Sequence, residues 1–359
     1  MKKVGIVTLS GKHNYGNRLQ NYALQTAINE FAQETVTITE ARHFSPIKTL
    51  KEFVKPIFRY LPLYKNRFYY VMKKMKYQSF NSFDAQYIKE QSLSSVDIKG
   101  FDMFVSGSDQ VWNPRFAGKD FHFLTFAPEK KRFSYAASFG VSQIPTDQTN
   151  AYSIRLKGFN KISVREEDAV GLVESLTGRR DVLVVPDPTM LISKDGWDTF
   201  IDGAAPKDLP TSKYIIVYAL HDFTPVNQRR VEEYARDNKY EIYRIMGDVY
   251  DKSYKTPDPR EFVYAISKAE AVFTDSFHCC VFSIINERPF IVFDRTDGQK
   301  MSSRLETLTT RFKLPQAMSN EDDDVSVVLK SEDFSETSQI LSDYRKIGRD
   351  YLEEILGEE

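Results

Sequence analysis

Val4-Gly5-Ile6-Val7-Thr8-Leu9 opens the chain as a short apolar, β-branched run, and Gly11-Lys12-His13-Asn14-Tyr15-Gly16-Asn17 follows as a polar loop. Leu19, Ala23, Ala27 and Phe31 then recur at helical spacing. Strand, polar loop and helix in that order are the first step of a doubly wound α/β domain. The loop then sits at the carboxyl end of the first strand, where such domains bind ligands.

The same alternation continues downstream. Phe101–Ser106, Phe133–Ser138, Lys161–Val164 and Val182–Val185 read as strands and Glu166–Leu176 as a helix, until Pro186-Asp187-Pro188 stops the pattern. Ile201–Ser212, with Gly203, Pro206 and Pro210, reads as a linker. A second series follows: strands at Tyr214–Leu220, Tyr240–Met246, Ala271–Thr274 and Pro289–Phe293, with helices at Pro225–Asn238, Asp258–Ala269 and Cys279–Ile285. Asp258, Pro259 and Glu261 have the spacing of a capping box. Ser338–Leu356 closes the sequence as an amphipathic helix expected to bury Ile340, Leu341, Tyr344, Ile347, Tyr351 and Ile355.

The expected architecture is α/β and GT-B-like: two Rossmann-like doubly wound domains with an interdomain cleft and a C-terminal helix. The boundaries read as 1–200, 201–334 and 335–359, with a basic aromatic insertion of broken helices at 46–76. A length of 359 residues accommodates two such cores.

Composition removes several classes. Two adjacent cysteines, Cys279 and Cys280, can neither staple loops nor form a zinc site, and they read as small buried hydrophobes in a reducing compartment. No apolar run approaches the roughly 20 residues that span a bilayer, and Val4–Leu9 is too short for a signal peptide. There is neither a P-loop nor a Gly-x-Gly-x-x-Gly fingerprint. His13, His43, His122, His221 and His278 lack metal-ligand spacing, and the acidic run Glu321–Asp324 reads as a solvated loop. No metal is expected.

The formal charge of −1 is a sum of opposites. Between Lys48 and Lys76, nine basic residues face one acid, Glu52, with Phe53, Phe58, Tyr60, Tyr64, Phe68, Tyr69 and Tyr70 interleaved. From Ser319 onward, thirteen acids face four basic residues. A cationic stretch carrying large rings suits an anionic membrane surface, and equally a solvated helical face with core aromatics. A pI near 6.6 and the lack of a nucleic-acid module argue against nucleic acid.

Polar clusters fall at four strand ends: Asn14-Tyr15-Gly16-Asn17, Ser108-Asp109-Gln110-Val111-Trp112, Ser163-Val164-Arg165-Glu166 and Asp275-Ser276-Phe277-His278. With Glu287-Arg288-Pro289 behind the last, these motifs, in order over about residues 1–310, resemble the polysaccharide pyruvyl transferase family. Its members transfer the enolpyruvyl group of phosphoenolpyruvate (PEP) to sugar hydroxyls, usually leaving a cyclic pyruvate ketal on a cell-surface glycan such as a capsule or exopolysaccharide. The resemblance places the PEP-binding arginine at Arg165 and the catalytic histidine at His278. It implies PEP as co-substrate, no separate cofactor and a glycan acceptor carried on lipid; with such an acceptor, the basic aromatic stretch 48–76 is the expected peripheral contact of a cytoplasmic protein with the inner membrane face.

Asn14, Tyr15, Asn17, Ser108, Asp109, Gln110 and Trp112 are the expected acceptor-side residues, and Ser276 and Phe277 flank the histidine. Members often carry Arg-Leu-His where this chain has Ser276-Phe277-His278. Arg295, Lys300 or Arg304 is therefore expected to supply the missing cation. Each residue also has a plainer reading. His278 suits a helix cap, Arg165 a helix-end ion pair, Trp112 the core, and Asn14 and Asn17 a tight turn. A GT-B glycosyltransferase using a nucleotide sugar, and a non-catalytic glycan-binding member, stay open as alternatives.

Overall fold

The computed structural model describes residues 2–11, 14–40, 67–115, 118–246, 253–293 and 302–357. The chain divides into two compact units. Met1–Glu40, Asp84–Trp197 and Ser335–Glu359 form the first, and Ala41–Phe83 with Asp198–Phe334 the second.

The first unit is built on five parallel strands: β1 (Lys3–Val7), β2 (Glu34–Thr39), β3 (Glu90–Ser92), β4 (Met103–Ser106) and β5 (Arg132–Ser134). Their order is β3-β2-β1-β4-β5, so the chain builds outward on one side of β1 and then returns to its other side. The switch point therefore lies between β1 and β4, where loops leaving the two strands diverge and open a ligand crevice. Beyond β5, β6 (Ser163–Val164) and β7 (Leu183–Val184) pair in parallel, and Ser134 N–H and Ala137 N–H donate to Lys161 O and Ser163 O at 3.2 Å each.

Helix Tyr15–Asn29 follows β1, as its apolar spacing requires, with Leu19, Ala23, Leu24, Ala27 and Ile28 buried. Strands β2 and β3 and helix Thr149–Lys157 carry no clear sequence signal. Thr35 and Thr37 alternate with Val36 and Ile38, yet all four are buried, so no polar face marks the strand.

Helix Thr337–Gly357 packs Tyr351, Leu352 and Ile355 against Val4, Ile6, Leu24, Met103 and Val105, and the Tyr351 hydroxyl donates to Ser134 O at 2.8 Å. One expectation on this helix is corrected. Ile347 is 46% exposed, Ile340 is half-buried, and Gly348 takes the inward position instead. A Cβ at Gly348 would lie 2.5 Å from Tyr135 Oη and 2.8 Å from Leu191 Cδ2 and Pro186 Cγ. Only a bare α-carbon lets the helix approach this closely.

The second unit holds β8 (Tyr214–Tyr218), β9 (Glu241–Ile245), β10 (Ala271–Thr274) and β11 (Phe290–Val292), all parallel in the order β11-β10-β8-β9. Its switch point lies between β8 and β10. Helix Pro259–Lys268 carries the expected capping box: Asp258 accepts from Arg260 and Glu261 N–H, and the Glu261 carboxylate accepts from Asp258 N–H at 2.7 Å. Every residue of helix Phe277–Ile285 is buried, including both free cysteines, and burial pushes the Cys279 thiol up to about 12.

Two places differ from the expected boundaries. The C-terminal helix is not a separate element but part of the first unit's core. The described residues 67–83 group with the second unit rather than the first. Lys76, read as part of a basic face, is buried and donates to Met246 O at 2.5 Å, and Phe83 packs edge-on against Phe200. Arg67–Tyr87, which includes the described end of that stretch, is one continuous helix; the broken helices expected around the prolines at 46, 56 and 62 lie outside the described residues.

Replacing Gly348 with alanine is expected to cost about 1–3 kcal/mol of stability by overpacking. Ile347→Ala should stay within about 0.5 kcal/mol. Equilibrium urea unfolding of the two variants checks the orientation of the helix.

Candidate functional site

In the first unit the polar clusters after β1, β4 and β6 converge. Asn14 caps helix Tyr15–Asn29, its Oδ1 accepting from Asn17 N–H at 3.2 Å. Asn17 Nδ2 in turn donates to Asp109 Oδ2, a hydrogen bond that joins the β1 and β4 loops. Asp109 has φ +69°, a left-handed conformation costly for a residue with a Cβ but tolerated best by Asn and Asp. Neighbouring groups hold it there: Gln110 N–H donates to its Oδ1 at 2.9 Å, and Val111 and Ser138 N–H donate to its carbonyl at 2.7 and 3.0 Å.

Arg165 leaves β6 into this cluster and is almost wholly buried. Its Nε donates to Glu166 Oε1 at 3.0 Å and its Nη1 to Asp187 Oδ2 at 3.1 Å, with Asp109 Oδ1 at 3.9 Å. Burial works against the charged guanidinium. Glu166, Asp109 and Asp187 outweigh it and hold the pKa above its ordinary value. The helix-end ion pair foreseen for Arg165 and Glu166 is thus present, with two further carboxylates around the same cation.

Asp187 is the residue that sequence reasoning missed. Its Oδ2 also accepts from Ser108 Oγ at 2.9 Å, and its Oδ1 accepts from Thr189 N–H and Oγ1 at 3.1 and 2.7 Å. The signal was in view: an aspartate flanked by two prolines directly after a strand caps the next turn. Arg18 was missed too. It is fully buried on helix Tyr15–Asn29, donating to Glu90 Oε1 at 2.9 Å and Leu9 O at 3.0 Å, which ties the β1 loop to β3.

Two expected acceptor residues are core instead. Trp112 is 0% exposed and stacks on Phe123 with centroids 5.5 Å apart and planes within 4°. Phe139 and Phe159 close in at 5.3 and 5.4 Å, leaving no face for a sugar. Tyr15 is equally buried. Gln110 is half-buried and its Oε1 accepts from Asn113 Nδ2 at 2.6 Å.

In the second unit, Asp275 closes the other switch point. Its Oδ1 accepts from Leu220 N–H at 2.7 Å and its Oδ2 from His221 N–H at 3.3 Å, linking the ends of β10 and β8. Thr274 Oγ1 donates to Tyr218 O at 2.6 Å and accepts from Ser276 N–H at 3.0 Å. Ser276 is the N-cap of helix Phe277–Ile285, and His278 is its second residue, nearly buried. Arg304 is buried on helix Ser302–Arg311; Arg295 and Lys300 lie outside the described residues.

Parallel strands with polar clusters at their carboxyl ends, repeated in two units, define the GT-B-like class. A Listeria monocytogenes structure described as a UDP-N-acetylglucosamine 2-epimerase is similar at 13% identity and TM-score 0.51, covering 95% of this chain and 91% of that one. A Neisseria meningitidis UDP-N-acetylglucosamine 2-epimerase bound to UDP-GlcNAc matches at 12% identity and TM-score 0.45, over 96% and 99% of the two chains. No curated protein matches the sequence. The family model for polysaccharide pyruvyl transferase matches residues 14–297, and the chain belongs to that family.

Near the first-unit site, the carbonyl of His122 accepts from Ser106 Oγ and Trp112 Nε1, and burial pushes its imidazole down to about 4. Between about pH 6.5 and 4 the unfolded chain therefore binds a proton that the folded one refuses. Stability should fall as pH drops through that window, and His122→Gln should flatten the slope in urea unfolding at pH 7 and pH 5. Asp187→Ala should cost about 3 kcal/mol, because it removes one partner of a buried guanidinium and leaves Ser108 and Thr189 without their acceptor. Ser108→Ala should cost about 1 kcal/mol in the same measurement.

Proposed function

We propose that this protein transfers pyruvate from PEP to two hydroxyls of a sugar in a cell-surface glycan precursor, forming a pyruvate ketal. The observation that carries the reading is the family match across 14–297, which includes both Arg165 and His278. In the reaction two sugar oxygens bond to C2 of PEP and phosphate leaves. One hydroxyl proton ends on C3 and the other accompanies the phosphate. Such a site needs a fixed cation for the donor's anionic groups and a group that exchanges protons near neutrality.

Arg165 takes the first role in this reading. Glu166 and Asp187 fix the plane of its guanidinium, so the fork is oriented before a ligand arrives. His278 takes the second role. It stands at the start of a nine-residue helix whose first turn takes no side-chain cap from Ser276, and helix N-termini of this kind favour an anion nearby. Asn14, Asn17, Ser108 and Asp109 serve the acceptor, and Arg304 is the described candidate for the cation that Ser276 does not provide.

A lipid-linked acceptor and a cytoplasmic seat at the membrane belong to the same proposal. Lys73, Lys74, Met75 and Tyr77 are exposed on helix Arg67–Tyr87 and support it, whereas Lys76 is turned inward. Among the described residues no helix is long and apolar enough to cross a membrane.

Incubation with PEP and a lipid-linked oligosaccharide should release phosphate and add pyruvate mass to the glycan. His278→Ala should lower kcat by about 100- to 10,000-fold. Glu166→Gln removes one negative charge beside Arg165 and should lower the KM for PEP about three- to tenfold. Turnover of a nucleotide sugar without phosphate release from PEP would overturn the reading. An unchanged KM in the Glu166 variant would return Arg165 to a purely structural role.

A further inference from the structure

The ketal-forming reaction moves two protons, and His278 is one proton carrier. His221 lies at the same switch point. It is in the turn after β8, between Tyr218 and helix Pro225–Asn238, and its side chain is 36% exposed. Its Nδ1 is 3.6 Å from Oδ2 of Asp275, longer than a hydrogen bond but within ion-pairing range. The Asp275 carboxylate is itself 2% exposed, and it also accepts the backbone N–H of His221. That second contact pins the turn against β10, so the ring and carboxylate are held as neighbours rather than meeting by chance. Asp275 is three residues before His278, which limits their α-carbon separation to about 11 Å.

On these grounds we infer that His221, oriented by Asp275, is the second proton-transfer residue of the site, working together with His278. The inference rests on the pyruvyl-transfer reading. A carboxylate beside Nδ1 favours the tautomer with its proton there, which puts the ring's basic lone pair on Nε2. In the first step the attacking hydroxyl gives its proton to His221 Nε2 as its oxygen bonds to C2, while protonated His278 donates to C3. In the second step the other hydroxyl bonds to C2 and gives its proton to His278. The C2–O bond to phosphate breaks, and His221 returns its proton to the departing phosphate. Both histidines end in the states in which they began, and no oxidant, metal or further co-reactant is needed. The difference in exposure suits the division: the more open ring meets the incoming acceptor.

The test is ketal formation from PEP by the full chain, with wild type, His221→Ala, His221→Gln and Asp275→Asn assayed together and their melting temperatures recorded. Both His221 variants should melt with wild type and lose about 100-fold or more in kcat, with the KM for PEP within about threefold. Asp275→Asn should also lower kcat. In proton–nitrogen correlation spectra it should shift the neutral His221 ring away from the Nδ1-protonated tautomer seen in wild type. A kcat within about threefold of wild type in both His221 variants, or a wild-type ring protonated on Nε2, would overturn the inference and leave pyruvyl transfer intact. A wild-type chain that makes no ketal from PEP would overturn pyruvyl transfer itself, and this role for His221 with it.

Discussion

A guanidinium that is almost wholly buried must bring its own counter-charge, and Arg165 does so through Asp187 and Glu166. Removing an ion from water costs several kcal/mol, a penalty tolerable only where geometry and hydrogen bonding are nearly complete. Asp187 supplies both. One carboxylate binds Arg165 after β6, Ser108 after β4, and Thr189 in its own turn after β7. Through Asp109 and Asn17 the same network reaches the loop after β1. Four loops of the first unit are thus registered against one buried charge.

The second unit reaches a related result with less charge. At each switch point the residue that bridges the diverging loops is an aspartate just beyond a central strand: Asp109 after β4 and Asp275 after β10. Asp109 meets a side-chain amide, whereas Asp275 meets two backbone N–H groups. The first arrangement depends on Asn17 being asparagine. The second depends only on where the backbone runs, so it places no demand on the side chains at 220 and 221 and leaves position 221 open to chemistry.

Much of this was legible in the sequence because the signals were local. Pro225–Asn238 and the capping box at Asp258 were read from caps and periodicity within one element, and the structure reproduces both. The polar clusters were legible because a polar run directly after a buried strand has to fall at the carboxyl edge of the sheet. What escaped depended on partners far away in the chain. Asp187 looked like a turn former until Ser108, 79 residues earlier, was seen to donate to it. Ile347 fitted a helical stripe, and only Tyr135, more than 200 residues away, shows that Gly348 occupies the inward place. Trp112 illustrates a third kind of miss. Residue type suggested a sugar platform, but the surrounding phenylalanines are distributed over 123–159 and formed no local pattern.

The discontinuity of the first unit has a consequence for the order of assembly. Its sheet begins with Lys3, yet the helix that covers Val4, Ile6 and Val105 comes from Thr337–Gly357, after every residue of the second unit. During synthesis, therefore, Leu24, Ala27 and Ile28 of the first helix can pack on that face early, but the part that Tyr351, Leu352 and Ile355 cover stays open until the second unit has emerged. The strands described for the second unit end at Val292, so its sheet can form while the first unit is still waiting. The unit whose sheet is begun first is thus the one completed last.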